Sequence, residues 1–138
     1  MKKLAIIVLS VVLIAGCALL LWHHARISRD RDEDFREKLA GVWLRALDNM
    51  RCTYTVAPDG SFTCQSWFSH PDRINTYQMA GTWRIKDGSL TEAVTSDSNK
   101  TAVVPRSHSG QIAFVNTNEF VVSWQGSTSK SAWQRLSP

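Results

Sequence analysis

The sequence predicts an all-β domain: an antiparallel up-and-down meander of about eight short strands closing into a small barrel. An N-terminal transmembrane or signal helix and a short charged helical stalk precede it. Three observations carry this: a long uncharged apolar run at the start, a block of charges at helical spacing after it, and a change to period-two alternation beyond residue 39. The expected organisation is residues 1–22 as membrane anchor or lipoprotein signal, 23–38 as spacer and 39–138 as barrel domain.

Residues 4–22, LAIIVLSVVLIAGCALLLW, contain no charged side chain. Nineteen helical residues at ~1.5 Å each reach about 28 Å, close to a hydrocarbon core of ~30 Å. The small domain that follows offers no soluble core able to bury such a helix on every side. Trp22, followed by His23 and His24, fits an interfacial boundary. Lys2 and Lys3 precede the run, and the very short N-terminal tail favours export of everything after it. The expected location is the cell envelope, with the domain in the periplasm.

The spacer carries five bases and five acids between His23 and Leu39. Arg29 with Glu33, Asp32 with Arg36 and Asp34 with Lys38 are opposite charges four apart, each worth a few tenths of a kcal/mol in a helix. Neither Gly nor Pro interrupts it. Phe35 and Leu39, also four apart, are placed to dock the stalk on the domain.

Beyond it, Tyr77, Met79, Gly81, Trp83 and Ile85 alternate with Gln78, Ala80, Thr82, Arg84 and Lys86, which marks a strand with one buried face. Similar alternation runs through Cys52-Tyr54-Val56, Phe62-Cys64-Ser66-Phe68, Ile112-Phe114 and Phe120-Val122-Trp124. Ala57-Pro58-Asp59-Gly60 suits a type I turn with a following bulge, and reflection about Asp59 pairs Val56 with Phe62, Tyr54 with Cys64 and Cys52 with Ser66. Asp87-Gly88 as a two-residue type I′ turn pairs Ile85 with Leu90, Trp83 with Glu92 and Gly81 with Val94. A loop at Asn116-Thr117-Asn118 pairs Phe114 with Phe120, Ile112 with Val122 and Gly110 with Trp124. In each hairpin the apolar residues fall on one face, which supports the register. The connections are too short for crossovers, so the sheet is antiparallel. Closure removes its edges, with a two-sheet sandwich as the alternative.

Leu13-Ile14-Ala15-Gly16-Cys17 resembles a bacterial lipobox, which implies cleavage before Cys17 and lipid on its sulfur. The continued apolar run from Ala18 to Trp22 instead fits an uncleaved span. Gly41-Val42-Trp43 resembles the Gly-x-Trp opening of lipocalins and the wider calycin group, and Arg135 lies on the last strand, where that group sets an arginine over the opening tryptophan. Gly81-Thr82-Trp83 followed by Asp87-Gly88-Ser89-Leu90 is similar to small bacterial lipocalin-like domains. The resemblance spans about residues 39–136 and implies a barrel that binds a small apolar ligand or lipid. The same opening, with Cys52 soon after, also resembles small periplasmic β-barrel inhibitors of metalloproteases.

Chemistry-bearing residues are few. Nine bases and seven acids scatter over residues 40–138 of this 138-residue chain of net charge +4, which is no nucleic-acid pattern. Cys52 and Cys64 are a disulfide candidate, although their diagonal register puts the Cα atoms ~7–8 Å apart, at or beyond the bridging limit; two buried thiols are the alternative. His23 and His24 sit at the membrane boundary and His70 and His108 in loops, with no metal-ligand spacing, nucleophile elbow or phosphate loop. No cofactor, metal or catalytic residue is expected. Glu92 is the unusual carboxylate, facing inward opposite Trp83 as a polar anchor for a ligand, or else as a rim residue or one paired with an arginine. Tyr54, Phe62, Tyr77, Trp83, Phe114, Phe120 and Trp124 point inward; a barrel of ~100 residues is expected to fill itself with such side chains. If a ligand pocket exists, Glu92, Trp83, Tyr54, Tyr77 and Trp124 are its expected lining. The expected function is a non-catalytic membrane-anchored envelope protein that binds a small apolar ligand, or else a protein partner.

Overall fold

A computed structural model describes the backbone of residues 2–137 and the side chains of residues 10–136. Helix α1 spans Lys2–Leu39, and eight strands follow: β1 Gly41–Leu47, β2 Met50–Val56, β3 Ser61–Ser69, β4 Ile74–Lys86, β5 Ser89–Asp97, β6 Arg106–Asn116, β7 Glu119–Trp124 and β8 Lys130–Ser137. Each strand pairs with its sequence neighbours and β8 returns to β1, giving a closed barrel in meander order. All pairings are antiparallel, as the short connections require. The barrel, not the sandwich, is the solution this sequence adopts.

The three hairpin registers read from the sequence are the observed ones. Cys52 faces Ser66 and Tyr54 faces Cys64. Trp83 faces Glu92, and Ile112 faces Val122. The turn at Asp87-Gly88 is type I′, with φ of 53° and 72°, and the glycine supplies the second left-handed position without a Cβ penalty.

The meander gives the barrel two unlike ends. At one, the β2–β3, β4–β5 and β6–β7 turns meet the start of β1 and the end of α1. Here the interior is closed by Leu39, Trp43, Ile85, Leu90, Phe120 and Val122, all essentially buried. Trp43 meets Phe120 edge-on at 4.6 Å between ring centroids, and its Nε1 donates to the Leu39 carbonyl at 2.7 Å. Arg135 lies over the Trp43 ring, 4.2 Å from its centroid, and donates to the carbonyls of Ala40, Thr117 and Lys38. One guanidinium thus ties the helix end, the β6–β7 turn and the closing strand to the opening tryptophan.

The helix is a single element, running without a break through the expected anchor–spacer boundary at residues 22 and 23. Its segment from Ser10 is long and apolar enough to cross a membrane, a property that signal sequences share. Of the three ion pairs expected along the spacer, Asp34–Lys38 forms at 2.7 Å among the described residues. Asp32 and Arg36 turn onto the barrel instead. Asp32 accepts from the amides of Asp87 at 2.7 Å and Gly88 at 2.8 Å, and Arg36 reaches the Ile85 carbonyl at 3.3 Å. Ser28 donates to the Asp87 carboxylate at 2.7 Å. Phe35 packs on Phe114 and Leu39 joins the core, as their spacing predicts.

Candidate functional site

The opposite end, between the β1–β2, β3–β4, β5–β6 and β7–β8 connections, is open. A cleft of about 460 Å3 descends from this mouth, with Tyr54, Glu92, Trp124, Cys52 and Cys64 among its lining residues. This corrects the expectation of a barrel packed throughout. The inward positions near the mouth carry Cys52, Cys64 and Ser66, whose side chains are too small to fill the space that Trp43, Phe120 and Leu90 fill at the other end. The volume is within the ~300–1,000 Å3 typical of small-molecule sites.

Tyr54 and Glu92 form the polar centre. The Tyr54 hydroxyl donates to Glu92 Oε1 at 2.6 Å, and the Tyr54 ring is held between Phe62 and Trp133, each 5.3 Å away. Burial pushes the Glu92 carboxyl above its usual range, and the Tyr54 hydrogen bond opposes that shift. Burial, and then the neighbouring Glu92 charge, pushes the Tyr54 phenol up. The pair offers a bound molecule a hydroxyl and a carboxyl group whose proton is held more tightly than in water.

Beside them, Cys52 Sγ lies 3.1 Å and Cys64 Sγ 3.8 Å from Ser66 Oγ. Both cysteines are free thiols, so this structure contains no Cys52–Cys64 disulfide. Cys52 is drawn down to about 6, chiefly by the hydrogen bond from Cys64 and, against its burial, by Ser66 and the Arg45 charge. Cys64 is pushed up because it holds its proton toward Cys52 and is itself buried. Trp124 donates through Nε1 to Ser131 Oγ at 3.1 Å and stands edge-on to His108 at the rim, 6.1 Å away.

Two expected lining residues stand elsewhere. Trp83 belongs to the closed end, where its Nε1 donates to the carbonyls of Ala57 and Ser61, each at 3.0 Å. It faces Glu92 across the ladder, but its long ring reaches down to the β2–β3 turn. Tyr77 lines an adjoining hollow of about 380 Å3, against Phe68 and below the Arg106–Asp97 ion pair. The hollow and the cleft share Ser66, Phe68 and Met79.

The sequence reading missed His108, which lies in β6 rather than in a loop. Carrying the Ile112–Gly110 parity back one more step puts His108 opposite Glu92, so the signal was present. Arg45 was missed as well; it shares the inward parity of Trp43 and faces Cys52 in the β1–β2 ladder. Cys17, the lipidation candidate, is exposed on α1. Among the described residues no group of three or more His, Cys, Asp or Glu side chains is arranged around a metal position. A scan against protein-family models finds no match for this chain, and a search of curated proteins finds none either.

Proposed function

We propose that this is a non-catalytic, membrane-anchored protein of the bacterial cell envelope whose lipocalin-like barrel binds a small, largely apolar ligand. The observation that carries the reading is the open cleft of about 460 Å3 with the Tyr54–Glu92 pair on its wall. Phe62, Trp124, Trp133 and Met50 provide apolar contact around that pair, which is the composition of a small-molecule site rather than of an aqueous channel. The ligand this lining fits has an apolar body and one hydrogen-bonding head for Glu92 and Tyr54. The lipocalin-like character draws support from Trp43 and Arg135, two of the residues that carry the resemblance, which stack at the closed end.

The uncleaved helix is the anchor in this reading, and the domain lies in the periplasm. Because α1 docks at the closed end, the mouth opens at the far end of the barrel from its attachment. The ligand then enters from the aqueous side.

Native mass spectrometry of the full chain extracted from membranes tests the proposal. The expected result is a retained small molecule, with occupancy about tenfold lower in Glu92→Leu or in the cleft-filling Ser66→Phe. A wild-type chain carrying no bound mass, and giving no Trp fluorescence change with an added single-chain amphiphile, overturns it.

A second reading, a barrel that binds protein in the manner of a periplasmic protease inhibitor, rests on one observation. Leu47 and Ile74, 52% and 69% exposed, flank Trp67 around a groove on the outer wall beside the mouth. A panel of secreted metalloproteases assayed with the full chain separates it from ligand binding.

A further inference from the structure

Sulfur is concentrated on one patch of the cleft wall. Met50, Cys52, Cys64 and Met79 line it together, from three adjacent strands. Cys64 sits directly opposite Met79 in the β3–β4 ladder. Cys52 and Cys64 are diagonal neighbours across β2 and β3, both in contact with the Ser66 hydroxyl. Met79 Sδ accepts a hydrogen bond from Arg106 Nη2 at 3.1 Å, which uses one of its two lone pairs and leaves the other for a cation.

This placement suits a bridging ion better than a direct bond. A disulfide needs its sulfurs ~2.05 Å apart and its Cα atoms within ~7 Å, whereas diagonal residues of an antiparallel pair are ~7–8 Å apart. An ion between two thiolates holds the sulfurs about 4.6 Å apart, twice a metal–thiolate bond of ~2.3 Å. That separation demands less approach of the two strands. Thiolate and thioether donors select copper(I) among common metals, while zinc calls for four tetrahedral ligands; His, Asp and Glu do not complete such a set among the described residues. Two thiolates and one monovalent cation leave a single negative charge, and Arg45, opposite Cys52 in the ladder, is the cation placed to balance it.

We propose that Cys52 and Cys64 bind one soft monovalent cation of the copper(I) class between their sulfurs, with Met79 supplying a thioether. Binding forms two metal–thiolate bonds and one metal–thioether bond, releases the two thiol protons and oxidises nothing. The site does not depend on an organic ligand in the cleft.

The test uses the full chain in detergent, with Cys17→Ser to remove the third thiol, under anaerobic reducing conditions. Copper(I) is delivered from a chromogenic chelator whose colour reports its withdrawal. The expected result is one copper(I) per chain, with a sulfur-only first shell by X-ray absorption. Cys52→Ser and Cys64→Ser each weaken binding about 100-fold or more, and Met79→Leu weakens it less. Unchanged near-ultraviolet circular dichroism shows that the variants are folded, and the X-ray absorption spectrum is read on the Cys17→Ser parent, which keeps Cys52, Cys64 and Met79. The proposal is overturned if the Cys17→Ser parent withdraws no copper, if nitrogen or oxygen dominates the first shell, or if Cys52→Ser and Cys64→Ser bind as tightly as that parent. Intact mass showing Cys52 and Cys64 already bridged in chain taken from membranes without reductant overturns it too.

Discussion

Replacing Asp32 with alanine removes the carboxylate that accepts from both amides of the β4–β5 turn, at 2.7 and 2.8 Å. The Asp32 side chain is only 14% exposed, so solvent screens these bonds incompletely. Hydrogen bonds to a charged acceptor contribute ~1.5–3 kcal/mol each, but water reaches the freed amides and recovers part of that. A net ~1 kcal/mol per bond gives about 2 kcal/mol for the substitution, or roughly thirtyfold in the equilibrium between docked and released helix. Asn retains a single acceptor oxygen and is expected to cost about half as much. Amide hydrogen exchange on the full chain reads this locally: protection at Asp87 and Gly88 falls about thirtyfold in Asp32→Ala, while the amides of β7 and β8 change little. Unchanged protection at the turn, or an equal loss throughout the barrel, refutes the idea that Asp32 clamps the helix to the closed end.

Arg135→Ala is expected to lower stability by about 3 kcal/mol, because it removes the stack on Trp43 and leaves three carbonyl contacts unmade; Arg135→Lys recovers less than half, since an ammonium lacks the planar fork. Urea unfolding followed by tryptophan fluorescence measures both. Glu92 has a raised folded-state pKa, so its contribution is fully present below the ordinary value of 4.5 and is lost as pH rises through the raised one. Wild-type stability should therefore fall across that window relative to Glu92→Gln, which becomes the more stable form near neutrality. Cys52 and His108 titrate in both proteins, while Tyr54 and Cys64, which the Glu92 charge helps to raise, stay protonated across this window; parallel urea-midpoint curves would contradict the burial argument. In Gly81→Ala the added Cβ would lie 2.0 Å from the Ala93 carbonyl oxygen, so no folded barrel is expected at 37 °C, whereas Gly126→Ala meets no atom within 4 Å and is expected to cost about 1 kcal/mol for its φ of +78°. With Cys17 replaced, iodoacetamide should label Cys52 ahead of Cys64, at a rate rising through about pH 6; preferential labelling of Cys64 would reverse the assignment.

The barrel was legible because its signals are local. A strand with one buried face must alternate, and each turn sequence sets the register of its own hairpin, so the pairings around Asp59, Asp87-Gly88 and Thr117 follow from a few residues each. The spacer was legible as a helix but not in its contacts. Charge spacing treats Asp32 and Arg36 as partners, whereas the closed end of the barrel offers each a backbone group instead. Trp83 shows the same limit on the other side of the ladder: parity puts it inward, and only the position of the β2–β3 turn sends its ring to the closed end.

Alone, then, the order of apolar, charged and alternating segments determined a membrane-length helix, a helical spacer and an eight-strand meander, since each depends on neighbours within about ten residues. The open mouth, the Tyr54–Glu92 hydrogen bond across 38 positions and the Cys52–Ser66–Cys64 cluster were decided in three dimensions. Closing β8 onto β1 sets how far inward side chains reach, and whether small residues on several strands leave their space at the same level.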